Sequence, residues 1–306
     1  MKIFYDFFKA IHFTGIFLGI CICALIVEFL LLLDLRISVL QFPFYFLCLC
    51  AVSSYYLFLH LYDKNSVYES EHSNWISQYR KRLKFLLCFM LMSIGFCLVK
   101  LSFLIKSKIH AIPLELFIFL CFAILIAIFY TGMQVRRMLK FNLRQFALAK
   151  PFLIAFVWAV ASVTIPVLFS VLTTNDFLYS RQIYYLCFFQ NFLFIWILAV
   201  LYDAKDIASD SQNGLFTLNA RYPASALFFY FLLPSIFLFA IASMSVLLFQ
   251  KLDFCKIVIF VLLISGAMIG LSRLIYRPTL HWYHSFMIDA MILCKAIVVI
   301  LVLLKN

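Results

Sequence analysis

The sequence is poor in charged residues, glycine and proline. Of its 306 residues 12% are charged and 66% are hydrophobic, whereas soluble globular domains carry about 25% charged residues. A water-soluble domain is therefore excluded. Seven glycines and seven prolines are too few for a collagen-like or linker-like chain, and the apolar composition excludes a disordered one. The composition indicates a protein of the lipid bilayer.

Two other patterns are missing. The ten cysteines include no C-x-x-C and no histidine at zinc spacing, and nearly all lie in apolar runs. We interpret them as small buried hydrophobic side chains rather than disulfides or metal ligands. Strands of alternating polarity are absent as well, which excludes an outer-membrane barrel. The apolar runs are continuous over helix length, and they predict an all-α polytopic membrane protein.

The apolar runs predict nine transmembrane helices, since a helix needs about 20 mostly apolar residues to cross the hydrocarbon. The first has no small-residue cleavage site after it, so we interpret it as a mature helix. We expect a single transmembrane domain over residues 1–306. The predicted spans cover 10–33, 40–62, 83–105, 110–131, 151–173, 181–202, 223–249, 254–276 and 281–304.

The positive-inside rule predicts the orientation. With nine spans, 16 of the 25 basic residues fall on the face of the amino terminus. We therefore expect the amino terminus to be cytoplasmic, the carboxyl terminus to be outside, and the protein to be integral to the inner, cytoplasmic membrane. The longer polar loops, about 63–82, 132–150 and 203–222, fall on the cytoplasmic face. We interpret the net charge of +12 as the result of basic residues that set the membrane orientation and attract anionic lipid or a diphosphate. We do not interpret it as a sign of nucleic-acid binding.

The most informative segment follows the sixth predicted span. Asp203, Asp206 and Asp210 are spaced i, i+3 and i+7, so a continuing helix would present all three carboxylates on one face. Clustered carboxylates repel one another and usually hold a cation, and Mg²⁺ typically joins one or two carboxylates to substrate phosphates. The segment predicts a Mg²⁺ site; a solvated, acid-rich loop is the alternative interpretation.

This segment resembles the second aspartate-rich motif of the UbiA superfamily of intramembrane prenyltransferases. D-x-x-D-x-x-x-D is followed here by Asn213-Gly214-Leu-x-Thr217-Leu, and the stretch that begins at Lys150 and Pro151 resembles the start of the family's fifth helix. The resemblance implies a UbiA-like bundle of nine helices, a cytoplasmic active site, and Mg²⁺ held between aspartate motifs after helices two and six. It also implies an isoprenoid diphosphate substrate and a membrane lipid or quinone-like acceptor.

The family's first motif, N-D-x-x-D with a further aspartate four residues on, is incomplete in this chain. If Asp63 occupies the second aspartate position, His60 stands at the first, Leu59 at the asparagine and Val67 at the third. One carboxylate of three remains, and Asp63 is the candidate metal ligand from this motif. A single metal at the second motif, a different substrate, or a protein that has lost catalysis and kept a lipid-shaped cavity all remain open.

Basic residues of the same loops are candidates to contact a diphosphate. Arg137, Lys140 and Arg144 repeat at i, i+3 and i+7 and would form one stripe on a helix. Guanidinium groups offer paired donors to phosphate, although basic residues beside spans are also expected from topology alone. The candidate diphosphate-binding residues are Lys64, Arg137, Lys140, Arg144 and Lys205.

Several polar side chains fall inside the predicted spans, where an ionised group is costly. Gln190 and Asn191 lie in the sixth span and are candidates to bind the acceptor, with an interhelical hydrogen bond as the alternative. Asp289 and Lys295 share the last span but point to roughly opposite sides, so we expect each to have another partner. Glu28 and Asp289 are expected to face the interior of the bundle.

Three functional hypotheses follow. The leading hypothesis is a UbiA-like prenyltransferase that moves a prenyl group from a polyprenyl diphosphate to an aromatic or lipid acceptor with Mg²⁺. The alternative is a catalytically inactive UbiA-like membrane protein that binds a lipid or quinone and serves as a partner subunit. A secondary transporter is a more distant third hypothesis, because the Gly/Pro-broken helix pairs of many transporters are not evident in the sequence.

Overall fold

The computed structural model describes residues 2–33, 40–62, 71–103, 112–130, 149–173, 180–204, 218–275 and 281–304. These residues form helices and the turns between them, with no β-strand among them. The helices are α1 (Lys2–Phe13), α2 (Ile16–Leu32), α3 (Phe42–Tyr62), α4 (Glu71–Ser102), α5 (Leu114–Tyr130), α6 (Ala149–Thr173), α7 (Arg181–Asp203), α8 (Leu218–Arg221), α9 (Ala224–Phe249), α10 (Phe254–Ile275) and α11 (His281–Leu304).

Within the described residues, seven helices are long and apolar enough to cross a membrane. They are α3, α4, α6, α7, α9, α10 and α11, and each matches a predicted span. The first predicted span is a bent pair, α1 and α2, which could make an eighth, and the fourth is the shorter apolar helix α5. The all-helical, multi-pass membrane architecture is thus confirmed, whereas the nine-span count and the orientation of the termini stay predictions.

The bend in the first predicted span lies at Thr14 and Gly15. The axes of α1 and α2 differ by 71°, and Gly15 has a positive φ of 74°, a conformation that glycine adopts without a steric penalty. The Thr14 hydroxyl donates to the carbonyls of Ala10 (2.8 Å) and Ile11 (3.2 Å) in the last turn of α1. The continuous apolar run predicted one helix, but the backbone turns at the glycine.

Two spans are widened by a π-helical turn, and each turn is followed by a proline. Residues 160–164 of α6 precede Pro166, and residues 228–232 of α9 precede Pro234. A proline has no N–H and its ring clashes with the carbonyl four residues before it. A wider turn moves that carbonyl away, which explains why the helices continue past the prolines with little interruption.

The bundle is centred on α6 and α7, which are the most buried spans. α7 packs against α6 on one side and α9 on another, and α2 packs against both α3 and α11. The main hydrophobic cluster includes Leu25 of α2, Phe194 of α7, Phe239 of α9 and Ile292 of α11. A second cluster joins α3 and α4. α7 therefore reaches the end of the bundle with its last residue, Asp203, surrounded by neighbouring helices.

Candidate functional site

The described part of the candidate site lies where α7 ends and α6 begins. Asp203 is the last residue of α7, and Lys150 is the second residue of α6. Lys150 Nζ lies 2.5 Å from Asp203 Oδ1, and the two residues are only 7% and 1% exposed. The first aspartate of the D-x-x-D-x-x-x-D segment is therefore a buried carboxylate in contact with an ammonium group.

Both charges stand at unfavourable ends of their own helices. The helix dipole disfavours a cation in the first turn and an anion in the last turn, yet Lys150 is in the first turn of α6 and Asp203 in the last turn of α7. Pro151 beside Lys150 is well suited to a first turn, where its missing N–H costs no hydrogen bond. The two charges stabilise each other across the α6–α7 interface, which explains why both tolerate burial.

The described residues that flank segment 205–217, which carries the other aspartates, are held in place on both sides. At one end Asp203 is buried against Lys150. At the other end the Asn219 amide Nδ2 donates to the carbonyl of Val200 (2.8 Å), and Leu218 is 1% exposed. The described residues on either side of 205–217 thus both contact the end of α7 or belong to it.

The remaining candidate ligands and phosphate contacts lie outside the described residues. Nothing in the structure tests their predicted roles, which stay predictions. They are Asp63, Asp206 and Asp210 among the acidic residues, and Lys64, Arg137, Lys140, Arg144 and Lys205 among the basic ones.

The described residues do not by themselves make a divalent-metal site. At the end of α7 they supply one carboxylate, and it is already in contact with an ammonium group. No group of three or more histidine, cysteine, aspartate or glutamate side chains suited to a metal occurs in the described ranges. A Mg²⁺ site here would need further ligands, either carboxylates from residues 205–217 or phosphate oxygens of a bound molecule.

Gln190 and Asn191, the candidate acceptor-binding residues, are both buried in the middle of α7, at 1% and 2% exposure. Gln190 Nε2 donates to Ser243 Oγ on α9 (3.0 Å), while no donor in the described structure reaches Gln190 Oε1. Asn191 Oδ1 accepts from Lys295 Nζ (2.9 Å). Both amides therefore form interhelical hydrogen bonds, and Gln190 keeps one free acceptor atom.

A network of charged side chains lies at the level of Asn191 in the bundle. Lys295 of α11, which is fully buried, forms an ion pair with Glu28 of α2 and a hydrogen bond with Asn191 of α7. Its ammonium also lies 5.2 Å from the centroid of the Phe194 ring, a cation–π distance. Three spans, α2, α7 and α11, are thereby joined through one lysine.

A second polar pair joins the beginning of the chain to the last span. His12 Nε2 donates to Asp289 Oδ2 (3.0 Å), with side-chain exposures of 10% and 9%. Asp289 and Lys295 thus have different partners, as their positions on the helix predicted. That Asp289 and Lys295 have partners was predictable, since intramembrane charges require them, but nothing in the sequence identifies Glu28 or His12 as those partners.

Comparison with solved structures finds a similar fold in a protein described as digeranylgeranylglyceryl phosphate synthase in membranes, a UbiA-type prenyltransferase. The two chains are 14% identical and superpose with a TM-score of 0.56, over 96% of this chain and 97% of the other. The two proteins therefore share a fold over nearly the whole of both chains, whereas membership in the UbiA superfamily stays a prediction. No family model matches the sequence, and no curated protein matches it significantly.

Proposed function

We propose that this protein is a UbiA-like prenyltransferase that moves a prenyl group from a polyprenyl diphosphate to an aromatic or lipid acceptor. One observation carries the proposal: in a bundle with the fold of a UbiA-type prenyltransferase, the D-x-x-D-x-x-x-D segment starts at the buried end of the central span α7. Asn219, which follows the segment, donates a hydrogen bond to Val200 at the same end of α7. Carboxylates on such a segment would face the head group of a lipid diphosphate.

In this proposal different residues have different roles in binding the diphosphate. Lys150 neutralises Asp203 and fixes the first residue of the motif, while Asp206 and Asp210 would hold Mg²⁺. The bound ion would supply positive charge to the diphosphate leaving group. The basic candidates Lys64, Arg137, Lys140, Arg144 and Lys205 would donate hydrogen bonds to the same phosphates.

The acceptor would lie deeper in the bundle, next to α7. Gln190 Oε1 is a buried hydrogen-bond acceptor that no described donor reaches, and a buried polar atom of this kind favours a ligand with a hydroxyl or N–H group. We therefore propose Gln190 and Asn191 as acceptor-binding residues, with Asn191 oriented by Lys295.

A catalytically inactive lipid- or quinone-binding subunit is the second candidate function, and the Lys150–Asp203 contact favours it. An ammonium in contact with the first aspartate replaces part of the positive charge that a metal would supply. The first motif, with Asp63 as its one remaining aspartate, also offers fewer ligands. Such a protein could keep the isoprenoid cavity without ionising a diphosphate.

Release of pyrophosphate distinguishes the two candidates. The purified protein in detergent would be mixed with geranylgeranyl diphosphate, Mg²⁺ and a membrane lipid extract, and pyrophosphate would be followed over time. An enzyme releases pyrophosphate only with Mg²⁺, and the variant Asp206→Asn/Asp210→Asn does not. Asp253→Asn is the matched control, because Asp253 is an exposed carboxylate paired with Lys256. Binding of the diphosphate without release in the wild type would favour the inactive subunit.

A further inference from the structure

α4 is longer than a membrane crossing requires. It runs without a break from Glu71 to Ser102, 32 residues, or about 48 Å at 1.5 Å per residue. The hydrocarbon core is about 30 Å thick. Counting about 20 residues back from Ser102 places the end of the apolar crossing near Leu83, so the first part of α4 continues beyond the hydrocarbon as a helix.

Four basic residues lie at this crossing point, and we name them the basic collar: Arg80, Lys81, Arg82 and Lys84. All four are exposed, whereas Leu83 between them is buried. The buried side of α4, with Ile76, Leu83 and Leu87, packs on α3, so the collar residues are left on the outer sides of the helix. Residues 77–82 and Lys84 line a surface depression of about 770 Å³.

The charge of the collar has no opposing charge in the described structure. None of the four residues forms an ion pair with a described carboxylate, and the Arg82 guanidinium instead lies 5.9 Å from the centroid of the Tyr79 ring. Four cations on about one and a half turns of helix repel one another. An anion from outside the described chain would relieve that repulsion.

The surrounding aromatic residues place the collar at the level of the membrane–water interface. The rings of Trp75 and Tyr79 lie 5.1 Å apart, one turn before the collar, and Trp75 contacts the Phe13 ring at the end of α1 (5.5 Å). Tryptophan and tyrosine concentrate at membrane interfaces. α1 itself turns 71° away from α2 and exposes Phe7 and Phe8, as expected of a helix that lies along a membrane surface.

We propose that the basic collar binds the phosphate head groups of anionic phospholipids in the adjacent leaflet. The occupant is a lipid rather than a soluble anion because the collar stands where the helix leaves the hydrocarbon, beside interfacial aromatic residues. Clusters of four or more Lys and Arg directly outside a span attract anionic lipids in this way. The proposal does not depend on the proposed prenyltransferase activity.

The test counts bound lipids by native mass spectrometry. Purified wild-type protein in detergent is titrated with phosphatidylglycerol and, separately, with phosphatidylcholine. We expect preferential binding of phosphatidylglycerol. Each basic residue removed should weaken that binding about fivefold, so Arg80→Gln/Lys81→Gln/Arg82→Gln should weaken it on the order of a hundredfold, with little change for phosphatidylcholine.

Two control variants keep the test decisive. Lys100→Gln/Lys251→Gln/Lys256→Gln removes three charges elsewhere and should retain phosphatidylglycerol binding. Arg80→Lys/Arg82→Lys keeps the charge and should also retain phosphatidylglycerol binding. The triple collar variant should elute and show a helical signal like the wild type, which separates a loss of lipid binding from misfolding. Equal binding of both lipids by the wild type would overturn the proposal. Displacement of phosphatidylglycerol by equimolar inorganic pyrophosphate would overturn it as well, because the collar would then be a diphosphate site.

Discussion

Lys150 Nζ lies 2.5 Å from Asp203 Oδ1, across the interface between the first turn of α6 and the last turn of α7. The pair connects the two most buried spans of the bundle at the point where the aspartate-rich segment begins. It gives Asp203 a structural role beside any role in binding. A variant of Asp203 alone therefore tests two properties at once, stability and ligand binding.

The first prediction concerns the contribution of this pair to stability. Asp203→Leu should destabilise the protein by about 3–5 kcal/mol, because it leaves the Lys150 ammonium buried without its carboxylate. The double variant Lys150→Met/Asp203→Leu should recover most of that loss, since neither charge remains. Unfolding in a denaturing detergent, followed by helical signal, measures both. Equal destabilisation in the single and the double variant would show that the ion pair is not the cause.

The second prediction concerns the pair in the interior of the bundle. Lys295→Met should cost about 3–5 kcal/mol, because it leaves the Glu28 carboxyl buried and removes the donor to Asn191. Adding Glu28→Gln should restore part of the loss. Lys256→Gln breaks a mostly exposed pair with Asp253 and should cost less than about 1 kcal/mol. The same unfolding assay ranks the three, and a Lys295→Met variant as stable as Lys256→Gln would contradict the network.

The third prediction tests the close contact of α2 and α3. A Cβ at Gly19 would lie 2.5 Å from Ser53 Oγ and 2.7 Å from the Leu49 carbonyl oxygen, whereas a Cβ at Gly95 of α4 meets nothing within 4 Å. Gly19→Ala should therefore destabilise by about 1–3 kcal/mol through overpacking. Gly95→Ala is the matched control and should be neutral or slightly stabilising, because alanine favours the helix. A neutral Gly19→Ala would show that the two helices can separate.

The fourth prediction follows from the proposed acceptor site. Gln190→Met removes the open acceptor atom Oε1, while Ser243→Ala removes the partner of Nε2. If the acceptor donates a hydrogen bond to Oε1, Gln190→Met should raise its KM about tenfold, the equivalent of one lost hydrogen bond. Ser243→Ala should raise it less. Equal effects of the two variants would indicate a packing role for Gln190.

The sequence predicted the helices well because the length of an apolar run depends on local composition. Each of the nine runs corresponds to a helix or a bent pair of helices in the described residues. The bend at Gly15 was missed because a hydrophobic run carries no information on backbone direction. The extension of α4 back to Glu71 was missed because its first turns are polar and read as a loop.

The candidate site was harder to predict because it depends on contacts between distant residues. Asp203 was identified by its motif, and Lys150 by its resemblance to the start of a family helix, but nothing local indicated that the two would pair. Glu28 and Lys295 were recognisable as intramembrane charges without identifiable partners, since they lie 267 residues apart. Side-chain pairing across a bundle is set by packing, which one sequence does not encode in any local pattern.

The most direct test of the account is Mg²⁺-dependent binding of geranylgeranyl diphosphate to the purified protein in detergent. Wild type, Asp206→Asn/Asp210→Asn and the control Asp253→Asn would be compared by calorimetry with Mg²⁺ and with chelator. The account predicts saturable binding that needs Mg²⁺, persists in the control and weakens about tenfold or more in the double variant. Binding that is absent, or that is indifferent to both the metal and the two aspartates, would contradict the prenyltransferase proposal.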